Sequence, residues 1–96
     1  MREAEFRTYL EEAEDISSKS KAVNSRVSRA NIAETILGIS LDSVVVDDDE
    51  MYEALIRIHG DSREKNGNIQ NAVRWYYQFV NGKAFPRLAS YRLRKK

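Results

Sequence analysis

The sequence predicts an all-α fold, a compact four-helix bundle. Three observations support this. Apolar residues recur at spacings of three and four along four stretches, polar or glycine-containing breaks separate those stretches, and the one β-branched run has no second strand to pair with. With 96 residues and 42% apolar content, the chain builds one small domain.

Phe6, Tyr9, Leu10, Ala13 and Ile16 share one side of a first helix over about residues 2–15, while Glu5, Glu11, Glu12 and Glu14 take the others. The polar run from Ile16 to Ser20 ends that pattern and offers serine hydroxyls to cap a second helix, expected from near Ser18 to Leu37. Val23, Val27, Ala30, Ile36 and Leu37 form its buried stripe, and Gly38 is its left-handed stop. Residues 39–46 read as an extended connection whose valines enter the core. Asp47, Asp48, Asp49 and Glu50 then lie at the positive end of a third helix bearing Met51, Tyr52, Leu55, Ile56 and Ile58 and closing with His59 near Gly60. A charged segment with two glycines, residues 61–68, is expected to be a flexible loop. Ile69, Ala72, Val73, Tyr76, Phe79 and Val80 mark a fourth helix, stopped by Asn81-Gly82 with Pro86 beyond. The expected division is a domain over residues 1–86 and a basic tail or linker over 87–96.

The net charge of +1 hides alternating blocks: −4 over residues 1–15, +3 over 16–37, −6 over 38–61 and +8 over 62–96. A bundle that sets its second and fourth helices side by side gathers the positive blocks on one face, the footprint of a nucleic-acid binder. Without cysteine there is no disulfide, thiolate metal site or cysteine nucleophile, and cytoplasmic localisation is expected. The chain has one histidine and no phosphate-binding glycine loop, paired catalytic carboxylates or nucleophile motif, so neither catalysis nor a metal or other cofactor is expected. No run of 18 apolar residues exists and the start lacks an apolar leader, so neither a membrane span nor secretion is expected.

On the second helix Lys19, Ala22, Arg26 and Arg29 fall on one line, with Lys21 beside it. On the fourth, the positions left outside the core stripe are Gln70, Asn71, Arg74, Tyr77, Gln78 and Asn81. Arginine can donate two hydrogen bonds to guanine, and asparagine or glutamine can pair both ways with adenine. Lys19, Lys21, Arg26, Arg29, Asn71, Arg74 and Gln78 are therefore the candidate DNA-contacting residues, with Lys83 and Arg87 as phosphate contacts. Each also reads as ordinary solvated surface. Trp75, Tyr76 and Tyr77 point in different directions from consecutive helix positions and cannot form one stacking platform, so Trp75 and Tyr76 are read as core. The carboxylates at 47–50 lack the spacing of a calcium loop and are read as helix capping.

The stretches Phe6-Arg-Thr-Tyr-Leu10, Ser17-Ser-Lys-Ser-Lys-Ala-Val23 leading into Arg26-Val-Ser-Arg29, and Asn71-Ala-Val-Arg-Trp-Tyr-Tyr-Gln-Phe79 resemble the N-terminal core-binding domain of phage integrases and other tyrosine recombinases. A similar helical module precedes some restriction-type nuclease domains. The resemblance implies a SAM-like four-helix fold and contacts to double-stranded DNA from the second and fourth helices. It also implies a catalytic domain C-terminal to this one. The isolated domain is expected to be a monomer without activity of its own. The alternative reading is a protein-interaction or self-association module attached to a nuclease or other enzyme, its basic face docked on an acidic one.

Overall fold

The computed structural model describes residues 1–13 and 19–94, and every regular element among them is a helix. They are α1 (Glu3–Glu12), α2 (Lys19–Leu37), α3 (Leu41–Val45), α4 (Asp48–His59), α5 (Asn68–Asn81) and α6 (Leu88–Arg94). The all-α expectation holds. The count of four does not, because two short helices form where an extended connection and a tail were expected.

Glu3 and Glu5 occupy the first turn of α1, where negative charge complements the helix dipole, and Phe6 and Leu10 carry its buried face. The chain leaves the helix at Ala13 in an extended conformation. Ile16, expected on the same stripe, and the capping serines Ser17 and Ser18 lie outside the described residues. In α2, Val23, Val27, Ala30, Ala33 and Leu37 are buried, and Ala33 takes the central place expected of Ile36, which only packs at the margin. Gly38 stops the helix at φ 73°, with its N–H donating to the Glu34 carbonyl at 2.8 Å.

Residues 41–45 are helical rather than extended. The Ser40 hydroxyl accepts from the Asp42 N–H at 3.2 Å, and the Glu34 carboxylate accepts from the Leu41 N–H at 2.9 Å. Two N–H groups that begin a helix are thus satisfied, one of them from the preceding helix. Leu41, Val44 and Val45 then enter the core from one turn, while Val46 stays 73% exposed.

Asp47 caps α4 as expected, accepting from the N–H groups of Asp49 at 2.8 Å and Glu50 at 3.2 Å. Met51, Ala54, Leu55 and Ile58 are buried, whereas Ile56, expected on that stripe, is exposed. His59 is the last residue of α4, its Nδ1 3.4 Å from the Gln70 amide nitrogen.

The segment expected to be a flexible loop is tied down by hydrogen bonds at Asp61, Arg63, Glu64 and Asn68. Arg63 binds Asp61 through Nε at 2.9 Å and Nη2 at 3.0 Å, which holds the Asp61 carboxyl at about 2. Asn66 and Gly67 turn the chain through left-handed conformations into α5, and Gly67 has no side chain to cap that helix. Glu64 does so instead, its carboxylate accepting from Ile69 and Gln70 N–H, both at 2.8 Å. Replacing Glu64 by alanine is expected to cost about 1 kcal/mol in thermal or denaturant unfolding, the usual value of a lost N-terminal cap.

α5 buries Ile69, Ala72, Val73, Tyr76 and Tyr77 and stops at Gly82, φ 73°. Tyr76 reaches from the core to its edge. Its hydroxyl donates to Asp42 and accepts from the Arg2 N–H at 2.9 Å. Burial pushes the Asp42 carboxyl up, but hydrogen bonds from Tyr76 and Arg2 outweigh it and hold the group below its ordinary value.

After Gly82 the chain folds back on α5 rather than leaving it. Phe85 is buried, its ring 5.1 Å from Tyr77 in an edge-to-face contact and 5.2 Å from Tyr91. Tyr91 of α6 stacks on Tyr52 of α4 at 5.3 Å, and its hydroxyl donates to Asp49. That hydrogen bond, with burial and the neighbouring Asp48 and Asp47, pushes the Tyr91 phenol up to about 12. The folded form thus favours the protonated phenol. The stabilisation is complete below the ordinary value of 10.0 and is lost as pH rises through about 12. An ultraviolet titration should show Tyr91 ionising near that upper value, and Asp49→Asn should shift this part of the curve back toward 10. No helix among the described residues is long and apolar enough to cross a membrane.

Candidate nucleic-acid interface

The two helices drawn from the positive blocks, α2 and α5, make the most extensive helix–helix contact among the described residues. α1 packs along both, while α3 and α4 close the other side of α5. Small residues permit the approach: Ala30 and Ala33 of α2 and Ala72 of α5 are all fully buried. At this seam the Arg26 guanidinium lies over the Trp75 indole, 5.0 Å from the ring centroid, and Tyr9 of α1 meets the same indole edge-on at 6.4 Å. Trp75 therefore packs against the core, as expected, yet remains half-buried. Arg26 Nε is buried without a hydrogen-bond partner.

On α2, Lys21 is exposed and Arg29 half-buried. The side chain of Lys19 lies outside the described residues. Lys83 and Arg87 are exposed on the segment that returns after Gly82. Among the described residues none of Lys21, Arg26, Arg29, Arg74, Lys83 and Arg87 has a carboxylate within salt-bridge distance. The pairs that do form engage the chain's amino terminus, Arg2, Arg7 and Arg63.

The polar line on α5 is largely spoken for by the protein itself. Arg74 is half-buried and donates through Nη1 to the carbonyls of Phe85 at 3.0 Å and Pro86 at 3.1 Å, with its guanidinium 5.8 Å from the Phe85 ring. Burial lowers its pKa from the ordinary arginine value. Asn81 donates to the Val45 carbonyl at 3.0 Å and the Tyr77 carbonyl at 3.1 Å, and Gln78 donates to the Tyr9 hydroxyl at 3.1 Å. Tyr77, expected outside the core stripe, is buried at 1% exposure, with its hydroxyl 2.8 Å from Asp48. The fold-back after Gly82 causes this difference, because Phe85 covers a side of α5 that a lone amphipathic helix would leave open.

What remains accessible on α5 is concave. Asn71, Arg74, Trp75 and Gln78 line one side of a groove of about 240 Å³, and Ala84 and Phe85 line the other. Of the expected contact residues, Asn71, Arg74 and Gln78 are thus brought together, and Arg26 joins them through Trp75. Ala84 and Phe85 could not be assigned to the site from spacing, since they belong to no helix. The carboxylates of residues 47–49 serve as cap and tyrosine acceptors, and no group of three or more His, Asp or Glu among the described residues could hold a metal ion. Compared with protein-family models, curated proteins and solved structures, the chain has no match.

Proposed function

We propose that the chain is a DNA-binding module, similar in kind to the core-binding domain of integrase-like recombinases, in which α2 and α5 form the DNA-facing side. It has no catalysis of its own and serves a catalytic recombinase or nuclease domain in the cytoplasm. The observation that carries the reading is the side-by-side packing of α2 and α5, with Arg26 of one stacked on Trp75 of the other. Cations without a carboxylate partner on α2 and on the segment that returns after α5 support it, since a positive surface without nearby carboxylates gains most from a polyanion. Lys21, Arg29, Lys83 and Arg87 supply charge to phosphates, while Arg74 acts from within by fixing the segment that carries two of them.

Titration of a fluorescently labelled duplex at low salt tests the reading. Saturable binding that weakens in Lys21→Ala and Arg29→Ala, with the fold intact by circular dichroism, is the expected result. A complete lack of duplex binding at low salt overturns it.

A further inference from the structure

The groove beside α5 has the wrong shape for the task that its polar residues suggest. Side chains that read base edges in a duplex must project from the protein surface into one of its grooves. Asn71, Arg74 and Gln78 instead line a depression, faced by Ala84 and Phe85. Its volume of about 240 Å³ is below the roughly 300–1,000 Å³ of pockets that enclose drug-sized ligands. The space suits one ring system.

The walls suit a flat, polar ring attached to an anion. Trp75 and Phe85 contribute aromatic surface, and Arg26 covers the indole from the α2 side, which leaves a cation next to whatever meets that ring. The Asn71 amide offers both donors and an acceptor at the rim, and Gln78, whose amide nitrogen already donates to Tyr9, adds its oxygen. Arg74 keeps its charge without a carboxylate partner, its Nη1 held by two main-chain carbonyls. An acidic peptide would satisfy the arginines but leave the aromatic walls unused. A nucleobase on a phosphodiester strand uses both.

We infer that this groove takes one unstacked base of a single DNA strand, as an open end or unpaired stretch would present it. The inference rests on the reading of the chain as a DNA-binding module and adds to it a preference for locally single-stranded DNA.

Trp75 is the one tryptophan of the chain, so indole emission reports on the groove directly. The probes are an oligothymidine strand, an abasic strand of equal length and a matched duplex, at one low salt concentration. The oligothymidine strand is expected to change the emission and to bind about tenfold more tightly than the abasic strand, the scale of one base stacked on an aromatic side chain. Ala84→Phe, which fills the groove from an exposed position, should abolish that advantage and leave duplex affinity unchanged. Ala84→Leu fills it with a smaller side chain from the same position and replaces the first variant should that one lose helicity. Equal binding of thymidine and abasic strands, or an advantage that survives a folded groove-filling variant, overturns the inference while duplex binding stands. Failure of every nucleic acid to bind overturns the proposed function, and the inference with it.

Discussion

Phe6→Ala is expected to lower the unfolding free energy by about 3–5 kcal/mol, the range for deleting a fully buried phenylalanine. The Phe6 ring is 0% exposed and lies 5.0 Å from Tyr76 in an edge-to-face contact and 5.7 Å from Phe79. Truncation removes the transfer energy of the ring, leaves a cavity between two helices and breaks aromatic contacts worth about 0.5–1.5 kcal/mol beyond burial. A domain of this size holds roughly 5–14 kcal/mol in total, so the variant loses a large share of its stability. The midpoint of thermal unfolding should fall by at least about 12 °C, at roughly 4–8 °C per kcal/mol. The neighbourhood explains why the loss should spread. α1 is only ten residues long, and besides Phe6 it buries one other side chain, Leu10. The same ring supports Tyr76, whose hydroxyl joins Asp42 to the backbone of Arg2. Phe6→Leu keeps most of the volume and should cost much less. A loss below about 1 kcal/mol in Phe6→Ala would show that α1 does not dock on α5 through this residue.

Phe6 was legible in the sequence, and the reason it was legible explains what was not. A helix of three or more turns repeats its buried positions often enough to display a period, as α2, α4 and α5 do, while the shorter α1 shows only Phe6 and Leu10 one turn apart. α3 has five residues, too few for a period, and its valines favour strands when read alone. Glu34 from another helix and the Ser40 cap supply what local propensity lacks. The fold-back after Gly82 was hidden for a different reason. Glycine and proline announce the end of a helix but not the direction in which the chain leaves, and Phe85 finds Tyr77 only in three dimensions. That one reversal redirected the site, because it converted Arg74 from a surface cation into an anchor and Tyr77 into core. The charge blocks say only what a side-by-side packing of the second and fourth helices would gather; α2 and α5 do pack together, but of the basic residues in the last block Arg74 alone lies on α5.

Duplex affinity is expected to fall about 150-fold between 50 and 200 mM salt if Lys21, Arg29, Lys83 and Arg87 each neutralise one phosphate, a slope near −3.6 in log–log form at about −0.9 per phosphate. The figure counts only those candidate contact residues whose charge is not engaged within the fold. Arg63 is bound bidentately by Asp61, Arg2 faces Asp42, and Arg7 is 3.8 Å from Glu3. Arg74 spends Nη1 on carbonyls inside the fold, and Arg26 lies on Trp75. A carboxylate already beside a cation lowers its return from a phosphate, because one attraction is exchanged for another and no net counterion is released. The double variant Lys21→Ala with Arg29→Ala should therefore reduce the slope by about 1.8, weakening binding at low salt most and leaving thermal stability nearly unchanged. Arg63→Ala is the internal control: it removes the same formal charge but should leave the slope where it was. If Arg63→Ala flattens the slope as much as the removal of Arg29 does, the attraction comes from net charge and not from the α2–α5 side. A slope indistinguishable from zero in the parent chain would exclude phosphate contacts altogether and move the positive residues to the role of docking an acidic protein face.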